Sequence, residues 1–215
     1  MPKKPPTGFA IVVAWPKTMC KQAGSWYDPL MSALKISKNN YYKVGHAAVV
    51  LVNSETSKCH YFDFGRYHAP FGYGRVRDEE TDHDLNITTK AEIEYNEIVN
   101  LPSILYNLLR NYSCHGTGYL RASYTAIHFE NAFQMAKKLQ QQSFIPYGPF
   151  VYKGTNCSRF VKKVVLAGTP KLTHQLGLKI PYTISPTPIT NVYALDHMVK
   201  LSPHQYEFKN HLISA

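Results

Sequence analysis

Two strand-length apolar runs constrain this chain most. Gly8–Trp15 and Tyr42–Val52 are nearly continuous in apolar residues, without the polar alternation of a strand that has one wet face. Such strands must be covered on both sides, so the sequence predicts a sheet with packing above and below it. Pro16 stops the first run. The second passes into turn chemistry at Asn53–Ser57, and Lys58–Phe64, short and aromatic, reads as the return strand of a hairpin. Neither run approaches the roughly 18 residues that a membrane span needs, so no integral membrane segment is expected.

Helical periodicity appears elsewhere. Trp26–Ile36 carries Leu30 and Leu34 at helical spacing. Pro102–Arg110 has proline in the first turn, where its missing N–H is harmless. Phe129–Gln142 repeats Phe129, Phe133, Ala136 and Leu139 on one face, and Cys157–Ala167 is stopped by Gly168 and Pro170. Further strands are predicted at Leu85–Thr89, Ile93–Ile98 and Tyr119–Ile127. Gly65–Asp84, with three glycines, reads as a long loop, and residues 170–215 as a tail of short elements wrapping the domain.

The expected class is α+β, an antiparallel sheet packed against helices in a single domain over 1–215. At 215 residues the chain can bury about 70% of its unfolded surface, enough for a core without disulfides or metal. The basic start, Met1–Pro6, leads into an apolar stretch broken at Trp15–Lys17. It makes a poor secretory signal, so a cytoplasmic location is expected. The four cysteines form no Cys-x-x-Cys pair, no metal-binding spacing is present and no cofactor is implied. The net charge is +10 although eight acidic residues crowd into Asp78–Glu97. The bases elsewhere are scattered and accompany no recognition motif, so nucleic acid is not an expected partner.

One segment carries chemistry. In Gly154–Val161, Asn156 is a favoured N-cap and Cys157 takes the first helical position, where free N–H groups and the helix dipole favour a thiolate. Cys157 also lies on the stripe of Phe160, Val161, Val164 and Val165, so a small core residue would occupy the same place. His46 opens an apolar strand, where a histidine is costly to bury without a purpose. An imidazole beside a thiol can take its proton and return it to a leaving group. The ring needs an orienting partner. A turn centred on Ser54–Glu55 sets His46 opposite Asp63, with His60 on the other face as the alternative.

Gly45-His46-Ala47 at a strand start, the polar return strand His60-Tyr61-Phe62-Asp63 and the later Asn156-Cys157 helix start together resemble the circularly permuted NlpC-type papain-like superfamily. That branch includes YiiX-like and lecithin:retinol acyltransferase-like proteins. The resemblance covers about residues 40–168, and the order, histidine before cysteine, is the permuted one. It implies a cysteine hydrolase (peptidase or amidase) or acyl-transfer enzyme with Cys157 as nucleophile and His46 as base. Peptide, amide or acyl-ester substrates would all suit it. The alternative is a non-catalytic binding domain on the same fold. For substrate contacts, Arg66, Arg75 and Arg77 in a mobile lid and Tyr147 and Tyr152 on the facing wall are the candidates.

Overall fold

The computed structural model describes residues 5–22, 24, 26, 28–33, 37–39, 41–42, 44–180 and 185–203. The strands are β1 (Gly8–Trp15), β2 (Cys20–Lys21), β3 (Ser37–Lys38), β4 (Tyr41–Tyr42), β5 (His46–Asn53), β6 (Cys59–Gly65), β7 (Tyr73–Arg77), β8 (Ile93–Glu94), β9 (Glu97–Ile98), β10 (Leu120–Ile127), β11 (Ile145–Pro146) and β12 (Asp196–Leu201). The helices are α1 (Asp28–Ala33), α2 (Leu101–Arg110), α3 (Phe129–Gln140), α4 (Cys157–Ala167), α5 (Leu172–Lys179) and α6 (Pro188–Tyr193). Seven strands form one antiparallel sheet in the order β11-β7-β6-β5-β1-β10-β12; β2, β4 and β3 make a small second sheet.

The two apolar runs supply the sheet's centre. All eight residues of β1 are buried, flanked by β5 and β10. Ala10, Val12 and Ala14 join Ala47, Val49 and Leu51 in a layer under α3 and α4. Phe9, Ile11, Val13 and Trp15 face the other way, onto Leu101, Ile104, Leu105 and Leu108 of α2. Helix α4 docks Phe160, Val161, Val164 and Val165, all buried, each worth about 1.5–3 kcal/mol on leaving water. The chain after α4 wraps back. Thr187 and Thr190 form a capping box on α6, and the Asn191 side-chain amide donates to the Ser158 carbonyl at 2.8 Å.

Several expectations change. The helix expected over Trp26–Ile36 is observed as α1, and residues 34–36 lie outside the described residues. Residues 41–42 belong to the small sheet, so the buried strand begins only at His46. Leu85–Thr89 holds no strand: His83–Leu85 is a single 3-10 turn, and Ile93–Ile98 folds as the tiny β8–β9 hairpin. The long loop Gly65–Asp84 contains β7, which pairs Asp63 with Arg77 and Gly65 with Arg75 and so extends the sheet. The β5–β6 register also differs. Asn53 Oδ1 accepts from the amides of Glu55 (2.8 Å) and Thr56 (3.2 Å), and the Asn53 amide donates to the Lys58 carbonyl (3.0 Å). The turn is therefore centred one residue later, and Asp63 faces Ala48 rather than His46. A two-residue shift keeps every side chain on its face, so His46 still meets Asp63 diagonally.

Gly8 marks how closely β1 and β5 approach. A Cβ there would sit 2.1 Å from the Val52 carbonyl oxygen, a backbone atom that cannot swing aside. Gly8→Ala should cost about 1–3 kcal/mol in urea unfolding, as overpacking does. An unchanged midpoint would mean that the β1–β5 edge yields freely.

Candidate active site

Gly45 delivers His46 to the end of β5. Its φ is +78°, and a Cβ would lie 2.9 Å from the Trp15 carbonyl oxygen, so glycine alone fits this entry to the strand. His46 is buried and stacks on Trp15, its ring centroid 5.9 Å away. Its Nε2 lies 3.2 Å from Asp63 Oδ2, which leaves Nδ1 for the Cys157 thiol, the imidazole's other hydrogen-bond partner. Cys157 belongs to the layer under α3 and α4, whereas Asp63 shares its face with Tyr61 and Trp15. The constellation thus crosses the sheet at the end of a strand, with His46 as the link.

Asp63 is fully buried and saturated with donors. Arg77 Nε reaches Oδ1 at 3.0 Å and Nη2 reaches Oδ2 at 2.7 Å. The Tyr61 and Tyr67 hydroxyls each donate to Oδ2 at 3.1 Å. Burial alone would raise its pKa, but the hydrogen bonds and charges of His46 and Arg77 override that and hold it down at about 2. Burial likewise works against the imidazolium of His46. Hydrogen bonds to Asp63 and Cys157, and their charges, prevail and lift it to about 9. Burial also opposes the Cys157 thiolate. The His46 hydrogen bond and charge, the Ala47 amide and the Ser158 hydroxyl outweigh it and draw the thiol below its ordinary value. The arrangement thus favours the charged form of each of the four groups against the cost of burial.

At the helix start, the Asn156 side chain accepts from the Arg159 amide and its carbonyl from the Phe160 amide. The amides of Cys157 and Ser158, ahead of them, find no backbone acceptor among the described residues, as at any helix N-terminus. Both residues line a cavity of about 190 Å³, whose walls include Cys20, Tyr42, Val44, Tyr147, Phe150 and Pro188.

The structure brings Cys157, His46 and Asp63 together and puts other candidates elsewhere. His60 is on the opposite face, packed on Phe129 and Phe133 and paired with Glu79 at 3.3 Å. It cannot orient His46, because alternation along β6 points it away. Arg77 is no lid residue: besides holding Asp63, it donates to the Ser113 carbonyl at 2.9 Å, with its guanidinium 3.4 Å above the Tyr67 ring. Arg75 is committed to Asp82 (Nη2–Oδ1 2.9 Å) and the Tyr67 carbonyl (2.8 Å). Arg66 donates to the Lys21 and Gln22 carbonyls and covers the Tyr147 ring, bracing the cavity wall. Tyr147 lines the cavity, stacked on Phe64, whereas Tyr152 is 84% exposed and outside it. Tyr61 and Trp15 are site residues that the sequence pattern does not single out, and Tyr67, in the segment expected to wall the cleft, instead bonds Asp63. The two-residue spacing of Tyr61 and Asp63 on one strand was the available signal. Among the described residues no group of three or more His, Cys, Asp or Glu could hold a metal ion, and no helix is long and apolar enough to cross a membrane.

A sequence profile of the type VI secretion system effector TseH-like family matches residues 10–174, which include His46, Asp63, Arg77 and Cys157. The chain belongs to that family. A solved structure, the crystal structure of the type VI secretion system effector TseH, superposes with a TM-score of 0.58 at 20% identity. The match covers 91% of this chain and 92% of that one. At that identity the likeness shows a shared fold. No curated protein matches the sequence.

In this family member the other three thiols contrast with Cys157: burial, before any other influence, pushes Cys20, Cys59 and Cys114 up to about 12. Iodoacetamide at neutral pH should therefore modify Cys157 first, as read by peptide mapping, and faster labelling of any other cysteine would overturn the electrostatic account. Arg77→Ala should destabilise by about 3–5 kcal/mol, because it strands a buried carboxylate. Asp63→Leu/Arg77→Met, which removes both charges, should lose less in urea unfolding. An equal loss would show that the pair's charges do not govern its role.

Proposed function

We propose that the chain is a cysteine hydrolase or acyl-transfer enzyme with a Cys157–His46–Asp63 triad on a permuted papain-like fold. The observation that carries this reading is the buried line of hydrogen bonds from thiol to imidazole to carboxylate, in which the thiol is drawn down and the imidazole drawn up. Support for the fold comes from the chain order, histidine strand before cysteine helix, on an antiparallel sheet. Membership of a secretion-effector family adds delivery out of the producing cell to the reading.

The Cys157 thiolate attacks the carbonyl carbon of an amide, ester or thioester. The negative oxygen that forms is held by the first-turn amides of Cys157 and Ser158. His46 gives its proton to the leaving group as the tetrahedral intermediate collapses to an acyl-enzyme. It then takes a proton from the incoming water or other acceptor, whose attack frees the thiol. Asp63 keeps Nδ1 of the ring aimed at sulfur, and Arg77, Tyr61 and Tyr67 keep Asp63 still, as positioning residues.

The pH dependence of alkylation tests this. Below the Cys157 pKa there is no thiolate. Above it, the thiolate is paired with imidazolium. As pH passes about 9, His46 loses its proton and the thiolate becomes a freer nucleophile. Iodoacetamide rates at Cys157 should rise in two steps, the first below the ordinary thiol value of 9.0 and the second near 9. In His46→Ala the burial remains and the imidazolium is gone, so a single step should appear above 9.0. One step near 9.0 in the wild type would remove the ion pair and favour a binding domain without catalysis.

A further inference from the structure

We propose that a basic groove beside α4 is an anion-binding subsite of the same active site, built for an acidic peptide whose apolar residue enters the cavity at Cys157. This rests on the reading of Cys157 as nucleophile. The groove, about 710 Å³, runs between α4, the end of α3 and the loop 149–155. It shares Pro149, Phe150, Ser185 and Pro186 with the cavity at the thiol, so one chain can occupy both.

Its lining holds Lys153, Arg159, Lys162, Lys163 and Lys179 and, among the described residues, no Asp or Glu. None of the five has an ion-pair partner among the described residues, and the same holds for Lys17, Lys21, Arg66, Lys90, Arg110, Arg121, Lys138 and Lys200; what sets the five apart is that they converge on one groove. Arg159 and Lys162 stand three residues apart on α4, a like-charge spacing that works against the helix. Burial and the Arg159 charge hold the Lys162 ammonium below its usual range. A concave wall of one sign, left without internal counter-charge, attracts an anion from outside.

The size of the cavity separates the anions. At about 190 Å³ it falls below the roughly 300–1,000 Å³ of drug-sized sites and suits one side chain, and the groove that continues from it, lined by five bases, is a poor bed for an acyl tail. Among the described residues Phe150 is the one aromatic lining the groove, and a single ring makes no ladder for stacked bases. A carboxylate-bearing peptide fits both parts.

The test uses the full chain as Cys157→Ala with fluorescein-labelled hexaglutamate and hexaglutamine, read by anisotropy. Hexaglutamate should bind more tightly than hexaglutamine and weaken with added salt. Adding Lys162→Glu/Lys163→Glu should weaken it about tenfold or more, and the exposed pair Lys153→Glu/Lys179→Glu should act likewise should the first variant unfold. Arg110→Glu/Lys200→Glu, the same charge change away from the groove, should cost less than about twofold. Equal losses from groove and control pairs would overturn the proposal, since overall charge would then explain binding. Tighter binding to phosphatidylglycerol vesicles or to oligothymidylate of equal charge would overturn the peptide assignment. Iodoacetamide labelling of wild-type Cys157, run alongside, separates the two readings. Slow labelling with groove-dependent hexaglutamate binding removes the nucleophile and leaves the groove. Fast labelling without groove dependence removes the groove alone.

Discussion

A carboxylate taken wholly out of water costs several kcal/mol even after the protein relaxes, and Asp63 is such a carboxylate. Arg77, on the neighbouring strand, meets it with two nearly parallel hydrogen bonds. The demand that Asp63 be paired explains why Gly65–Asp84 turns back as β7 instead of extending into solvent. It also explains why Tyr61 and Tyr67 aim their hydroxyls inward. With Asp63 held at fixed charge and fixed orientation, His46 can carry a proton in a buried place, and with His46 charged the Cys157 thiol can give up its own.

The position of this charge line at a strand end follows from the layers. Cys157 comes from the helices on one face of the sheet and Asp63 from the other face. In the middle of a seven-stranded sheet the backbone would separate them. At the start of β5 the sheet ends, Gly45 lets the chain turn, and one imidazole spans the gap. Trp15, opposite His46 across the β1–β5 ladder, closes the site from one side and limits the ring's motion.

The same economy of charge shapes the surface. Asp78 pairs with Lys137 and Asp82 with Arg75, so acids of the Asp78–Glu97 stretch serve internal contacts near the sheet edge. The bases of α4 and its surroundings receive no such partners among the described residues. The basic balance of the chain is therefore unevenly spread, with a concentration that has no acidic partner among the described residues beside the cavity at the thiol.

Local pattern made much of this legible. Continuous apolar runs place β1 and β5 in the sheet's interior, and Asn156 followed by a periodic apolar stripe starts α4 at Cys157. The alternation of a hairpin puts Asp63 and His60 on opposite faces whatever the turn. These features depend on neighbours in the chain, and their physics is complete within a few residues. The destinations of Arg75 and Arg77, the exposure of Tyr152 and the two-residue shift in the β5–β6 ladder were not legible, although the last leaves the faces unchanged. An arginine in a glycine-bearing segment reads alike as a lid or as a strand. What decides between them is whether a carboxylate lies buried within reach, and that depends on how distant strands pair. Neighbours in the chain settle which apolar side chains face the core. Which charges join them, and which of those charges meet, is settled by the assembled sheet, because a buried charge takes its partner from across the fold.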